Sequence, residues 1–227
     1  NVDNLYQGAR LFIIGLAKKV LLADVIGKAV DWGYQYYTVL DGFNTFLVII
    51  LYSVQLYLDF SGYCDMARGL GYCFNIRIPV NFVSPFKSKN MVEFWKRWHI
   101  SLSTWLQEYL YISLGGNRKG TVRTYINLFL TMLIGGLWHG ASWTFVVWGA
   151  LHGVALCIHK LWMKLTKHDK NYKGTIPENI CSGVITYLFV AFCWIFFRAE
   201  NFDIARSVIL GIVGWQDGIM YISSWII

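Results

Sequence analysis

Charged residues are scarce in this chain of 227 residues. Asp, Glu, Lys and Arg make up 15% of it, whereas an ordinary soluble domain has roughly 25%. Because a soluble protein needs charged groups to cover its exterior, this shortage argues against a soluble domain. Hydrophobic residues account for 56% of the chain and aromatic residues for 18%, which excludes a disordered chain. The composition predicts a polytopic membrane protein.

The motifs of several common enzyme classes are also missing. The chain has no GxSxG, P-loop, GxGxxG or HExxH motif, and its five cysteines show no CxxC or Cys/His spacing. We therefore expect no metal site and no permanently bound cofactor. The cysteines are interpreted as buried free thiols.

Acidic residues are fewer than basic ones, 13 against 20, which gives a net charge of +7. Such a surplus can indicate nucleic-acid binding. Here the basic residues cluster between apolar stretches, a pattern typical of cytoplasmic loops that face anionic lipid. We expect the partner of these residues to be the lipid bilayer, and no nucleic acid.

Three uncharged stretches locate the candidate membrane helices, at residues 42–58, 124–159 and 179–197. As one helix, the second stretch would be about 54 Å long, against a hydrocarbon core of about 30 Å. We predict two helices with a break at residues 135–140, where three glycines weaken a helix. Basic residues flank both ends and place them in the cytoplasm. His139, at the tip, then lies deep in the bilayer or toward the far leaflet.

Other segments look less regular. Residues 11–30 predict a short, tilted or interfacial helix, because two lysines closely follow their apolar start. Residues 75–89, with two prolines, predict an irregular connector. Asn90, followed three residues later by Glu93, predicts the start of a helix.

That helix carries an aromatic stripe and is expected to end at the pair Gly115-Gly116. The stripe is spaced as one helical face and is interpreted as core packing. Its members are Trp95, Trp98, Leu102, Trp105 and Tyr109.

Polar residues in apolar surroundings are costly and need an explanation. Gln55 and Asp59 share a helical face, while Asp65 and Arg68 can pair. Two readings stay open for this group: a satisfied polar network that fixes helix packing, or contact with substrate.

The histidines divide into candidates of different strength. His99, at the edge of the stripe, fits a hydrogen-bonded core residue better than a functional one. His139 lies among glycines at a helix break, where irregular backbone survives at membrane depth only if it is buried in protein or lines a cavity. Function and structure are equally open for it. His152 is interpreted as a packing or supporting residue, and His159 as interfacial.

Three segments together resemble the membrane-bound O-acyltransferase (MBOAT) family. They are YLDFSGYCDMA at residues 57–67, FWKRWHISLSTW at 94–105 and GGLWHGASW at 135–143. The resemblance covers roughly residues 8–200. Residues 109–118, YLYISLGGNR, resemble the bacterial alginate O-acetyltransferase branch, although Gln107-Glu108 and Ser113 depart from its usual Arg-Asp and Pro. The D-alanyl-transferring teichoic-acid branch is the nearest rival.

The resemblance implies an all-α, polytopic transmembrane helical bundle with interfacial or re-entrant helices. Residues 1–227 are expected to be a single membrane domain, the C-terminal portion of an MBOAT-like acyltransferase that lacks its N-terminal helices here. It also implies catalytic roles for His139 and His99, with no cofactor-binding residues identified.

The implied activity is transfer of an acetyl group from a cytoplasmic thioester donor to hydroxyls of an extracellular polysaccharide. Acetyl-CoA or another acyl thioester is the expected donor. An extracytoplasmic acetyltransferase is the expected protein partner, and the inner or cytoplasmic membrane the expected location. D-alanyl transfer to teichoic acid, a transporter or channel, and a structural membrane subunit are the alternatives.

Overall fold

A computed structural model of the chain describes residues 2–167 and 172–213. Within these residues the regular structure is helical and no β-sheet is present, which confirms the all-α prediction. The α-helices in chain order are α1 (Val2–Ala17), α2 (Asp24–Gln35), α3 (Gly42–Cys73), α4 (Met91–Trp95), α5 (Ile100–Trp105), α6 (Thr121–Trp138), α7 (Trp143–Leu165), α8 (Ile176–Arg198) and α9 (Phe202–Val213).

The helices fall into two compact units. The first contains α1, α2, α3 and α9, and the second contains α4 to α8. In the described part of the chain, α3, α7 and α8 are long and apolar enough to cross a membrane. They cover the predicted stretches 42–58 and 179–197 and the second half of 124–159.

The helical segment at the start of the chain is longer than the short helix predicted for residues 11–30. A π-helical stretch, Lys18–Ala23, links α1 to α2 without a break. Lys18 pairs with Asp65 of α3 at 2.6 Å, and Lys19 pairs with Asp24 and Asp59, each at 2.7 Å. The Lys19 ammonium donates hydrogen bonds to Asp24 and Asp59, and these bonds raise its pKa to about 12. Ion pairs with α3 therefore hold this segment in place.

Helices α1 and α3 approach each other through glycines. A Cβ on Gly15 would lie 2.5 Å from the carbonyl oxygen of Gly62, and a Cβ on Gly8 would lie 2.6 Å from that of Gly69. Since residues 8 and 15 face residues 69 and 62, the helices run antiparallel. Close backbone approach through small residues is how membrane helices gain packing energy without a hydrophobic driving force.

The second unit contains the predicted helical hairpin. Helix α6 ends at Trp138 and α7 begins at Trp143, where the Ser142 hydroxyl accepts a hydrogen bond from the Thr144 amide at 3.3 Å. The predicted break is confirmed, but it lies at residues 139–142. Gly136 is still helical, and it packs directly on the backbone of Gly149 in α7.

Asn90 begins a helix, as predicted, and its side chain accepts a hydrogen bond from the Glu93 amide at 2.8 Å. The single helix predicted beyond it is wrong: α4 ends at Trp95 and α5 begins only at Ile100. The connector before it is irregular apart from one 3₁₀ turn, Pro85–Lys87, which confirms that prediction.

We expect Gly15→Ala to destabilise the protein, because the added methyl group would meet the α3 backbone. Such overpacking costs about 1–3 kcal/mol. The matched control is Gly27→Ala in α2, where the new Cβ would meet only Gln55 at 3.8 Å and where alanine favours the helix. Thermal unfolding of the purified proteins in detergent measures both. Equal melting temperatures for the two variants would contradict the close α1–α3 packing.

Candidate active site

His99 lies in a turn with unusual backbone geometry. It has φ 45° and ψ 54°, in the left-handed region, between α4 and α5. The Ser103 hydroxyl donates a hydrogen bond to the Trp95 carbonyl at 2.8 Å, and the Ser103 amide donates to the His99 carbonyl at 3.0 Å. For a residue other than glycine, this conformation costs roughly 1–3 kcal/mol and persists only where its surroundings enforce it. The turn therefore fixes the position of the His99 ring.

Arg97 ties the same turn to the connector that precedes α4. Its guanidinium pairs with Glu93 at 2.8 Å and donates to the Val83 carbonyl at 3.3 Å. The Val83 amide in turn donates to the Arg97 carbonyl at 3.0 Å. These contacts hold the backbone next to His99 from both sides.

A cavity of about 300 Å³ opens beside His99. Its lining residues are His99, Ser101, Leu102, Trp105 and Trp138. The two indoles that form its walls are 51% and 64% exposed. The volume is at the lower end of the range for small-molecule sites, and the lining combines apolar walls with a few polar groups.

His139 lies directly after the wall residue Trp138. Its half-buried ring contacts Trp138, Trp148 and Phe197, with ring centroids 5.1–5.2 Å apart. The ends of α6, α7 and α8 supply these contacts. The helix break thus places the His139 imidazole among aromatic rings.

The structure brings His99 and His139 together. Burial and, to a lesser degree, a positive charge on His139 lower the pKa of His99 to about 4. Burial, which is the larger cause for His99, also lowers the pKa of His139. Both residues lie outside the three candidate spans. Each imidazole is therefore neutral at pH 7 and able to accept a proton.

His152 lies in α7, one turn after Trp148, and is fully buried. Its ring packs against Trp95 and Trp148, with centroids 5.2 and 4.7 Å away. Among the described residues neither ring nitrogen has a hydrogen-bond partner. His152 does not line the cavity beside His99, and the packing role expected of it fits these contacts.

The acidic residues of α3 form a polar network in the first unit. Asp65 binds Lys18 at 2.6 Å and contacts Arg68 at 3.5 Å. Asp59 pairs with Lys19. The predicted Asp65–Arg68 pair is present but long, and the network depends mainly on lysines of the π-helical stretch.

All five cysteines are free. Cys64 and Cys193 are buried, whereas Cys181 is exposed, so the prediction that they are buried is wrong for Cys181. The described residues contain no group of three or more His, Cys, Asp or Glu side chains able to hold a metal ion.

The walls of the cavity were not predicted from the sequence. Trp95 and Trp98 are buried, as the core interpretation of the stripe predicts, but Trp105 and Tyr109 are 51% and 65% exposed. The chain turns at residues 96–99, so the two halves of the stripe do not share one helical face. The signal was present in the dipeptide Trp138-His139, which puts a large aromatic beside the candidate histidine.

We expect His152→Phe to keep the fold, since an aromatic ring of similar shape replaces an imidazole with two unpaired nitrogens. Removing a buried unpaired polar group is neutral or stabilising. Thermal unfolding of the purified variant measures this, with His152→Asn, which leaves a cavity and polar atoms, as the destabilised comparison. A large loss of stability in the Phe variant would show that the ring nitrogens are bound by a further group.

Comparison with known proteins identifies the family of the chain. Residues 3–199 match the membrane-bound O-acyltransferase family. The chain is 48% identical over 214 residues to a peptidoglycan O-acetyltransferase of Helicobacter pylori, covering 94% of this chain and 40% of the relative.

Two further relatives are named for other polymers, alginate and teichoic acid. A probable alginate O-acetylase AlgI of Pseudomonas aeruginosa is 46% identical over 204 residues, covering 90% of this chain and 38% of the relative. A teichoic acid D-alanyltransferase of Streptococcus thermophilus is 31% identical over 196 residues, covering 78% and 47%. The chain spans less than half the length of each of these relatives.

Proposed function

Because the chain belongs to the membrane-bound O-acyltransferase family, we propose that the protein is a membrane O-acetyltransferase that modifies a polysaccharide. The observations that carry this proposal are the position of His99 in the lining of an aromatic-walled cavity and that of His139 directly after Trp138, a residue of the same lining. The relatives named for O-acetyl transfer to peptidoglycan and alginate support the acetyl group and the polysaccharide acceptor.

In the proposed reaction, His139 acts as the general base. Its neutral imidazole takes the proton of an acceptor hydroxyl while the hydroxyl oxygen attacks the carbonyl carbon of an acetyl thioester. The tetrahedral intermediate then collapses, the carbon–sulfur bond breaks, and the thiolate leaves and gains a proton. The aromatic rings around His139 favour the uncharged form of the base, which is the form that the first step needs.

His99 is proposed to contact the reacting groups from its place in the cavity lining. Orientation of the acceptor and stabilisation of the oxyanion are the two roles that its position allows. The rigid turn at Arg97 and Ser103 suits either, since both need an imidazole held in one place.

The donor is proposed to be acetyl-CoA or another acyl thioester that arrives from the cytoplasm. Basic residues at both ends of the α6–α7 hairpin favour a cytoplasmic location for those ends, with His139 at the opposite tip. The protein would then be a multi-pass protein of the inner or cytoplasmic membrane, and the acetyl group would pass across that membrane. An extracytoplasmic acetyltransferase would receive it before the polysaccharide does.

D-alanyl transfer is the second candidate, because one relative carries that name. Purified full-length protein offered either labelled acetyl-CoA or a labelled D-alanyl thioester separates the two. With the extracytoplasmic acetyltransferase and the polysaccharide present, we expect labelled acetyl groups, and not D-alanyl groups, on the polysaccharide. Absence of covalent transfer from both donors would favour a transporter or channel.

We expect His139→Ala in the full-length protein to lower the rate of acetyl transfer by about 10²–10⁴-fold, the contribution typical of a general base. Transfer of radiolabel from acetyl-CoA measures the rate. The matched control is His159→Ala, 16 residues after the start of α7 and therefore about 24 Å along the helix from the tip of the hairpin, and it should retain activity. Transfer at the wild-type rate by the His139 variant would contradict the assignment.

His99→Ala should cause a smaller loss than His139→Ala, since orientation and oxyanion contacts leave the proton acceptor in place. The same assay measures it, with size-exclusion chromatography as the check on folding. A loss equal to that of His139→Ala would instead make the two histidines a single catalytic pair.

A further inference from the structure

A second cavity, in the first unit, has no part in the proposed acyl transfer. Its volume is about 360 Å³. The lining residues are Gln7, Arg10, Leu11, Ile14, Arg68 and Tyr72. The four residues from α1 have the spacing of one helical face, and the two from α3 are one turn apart. The cavity is thus a groove between two helices, cationic on one side and apolar on the other.

The two arginines in this groove are poorly neutralised. Within residues 2–167 and 172–213, Arg10 makes no ion pair with a carboxylate. The nearest acid to Arg68 is Asp65 at 3.5 Å, but Lys18 holds that carboxylate more closely, at 2.6 Å. The buried Nε atom of Arg68 has no hydrogen-bond partner among the described residues. The groove therefore offers guanidinium donors that an anion can satisfy.

The groove also lies at a defined level relative to a bilayer. Helix α3 has 32 residues and is about 48 Å long, against a hydrocarbon core of about 30 Å. Its uncharged part, residues 42–58, fills most of that core, so Arg68 and Tyr72 lie beyond it among the headgroups. Gly8 packs on Gly69, which brings Arg10 to the same level.

We propose that this groove binds the headgroup phosphate of an anionic phospholipid. Arg10 and Arg68 contact the phosphate, and Gln7 and Tyr72 supply further donors. Leu11 and Ile14 contact the first methylene groups of an acyl chain. The apolar side of the groove and its level at the headgroups favour a lipid over a soluble phosphate. This proposal is independent of the acyl-transfer mechanism.

Lipid binding to the purified full-length protein in non-ionic detergent tests the proposal. Native mass spectrometry with phosphatidylglycerol as the probe gives the affinity of the tightest site, and phosphatidylcholine is the zwitterionic comparison. We expect phosphatidylglycerol to bind more tightly. Arg10→Gln should weaken that binding about tenfold, because a charge-assisted hydrogen bond is lost, and leave phosphatidylcholine binding unchanged.

Two variants serve as controls. Arg77→Gln removes an exposed arginine of the same unit outside the groove, and it should leave the affinity for phosphatidylglycerol unchanged. Arg68→Lys keeps a cation near Asp65 and therefore protects the fold. It should weaken lipid binding less than Arg68→Gln, since lysine keeps the charge but loses the bidentate geometry.

Three results would overturn the proposal. Equal affinity for the two lipids would show that the groove does not recognise the net negative charge of the headgroup. Equal losses in Arg10→Gln and Arg77→Gln would show a diffuse surface effect. Displacement of phosphatidylglycerol by inorganic phosphate at similar concentrations would assign the groove to a soluble anion.

Discussion

Close approach of helix backbones at glycines is the constraint on which the rest of the structure depends. Lipid tails are as apolar as leucine, so membrane helices gain little from burying apolar side chains and associate by tight packing. A Cβ on Gly149 would lie 2.5 Å from the Met132 carbonyl oxygen. This contact sets the spacing of α6 and α7, and that spacing determines where the tip residue His139 lies.

Aromatic packing builds on the hairpin that the glycines bring together. Trp148 contacts His139 on one side and His152 on the other, with centroids 5.1 and 4.7 Å away. Stacking of Trp148 on Trp194 connects α7 to α8. The candidate base is thus held by uncharged rings, which shield it in part from water. A neutral, basic imidazole at pH 7 follows from that choice of neighbours.

The sequence predicted the helices well where a single physical signal decided the outcome. Uncharged stretches located α3, α7 and α8, and the length limit of the bilayer required a break between α6 and α7. The cap at Asn90 was equally local. The break after Trp95 was not predicted, since the stripe continued at helical spacing while contacts of Arg97 and Ser103 hold the backbone in a turn at His99. The π-helical stretch depends likewise on ion pairs with residues some 40 positions away.

The candidate site could be predicted from the sequence in part. His139 stood out because glycines flank it at a helix break, whereas His99 looked like a core residue until the turn placed it at a cavity. The pH dependence of kcat/KM for acetyl transfer tests the account most directly. Burial lowers the pKa of His139 from 6.5, so kcat/KM should be constant near pH 7. It should fall only when the pH drops below 6.5 and the imidazole gains a proton. A rate that rises as the pH falls through this range would contradict a neutral His139 as the proton acceptor.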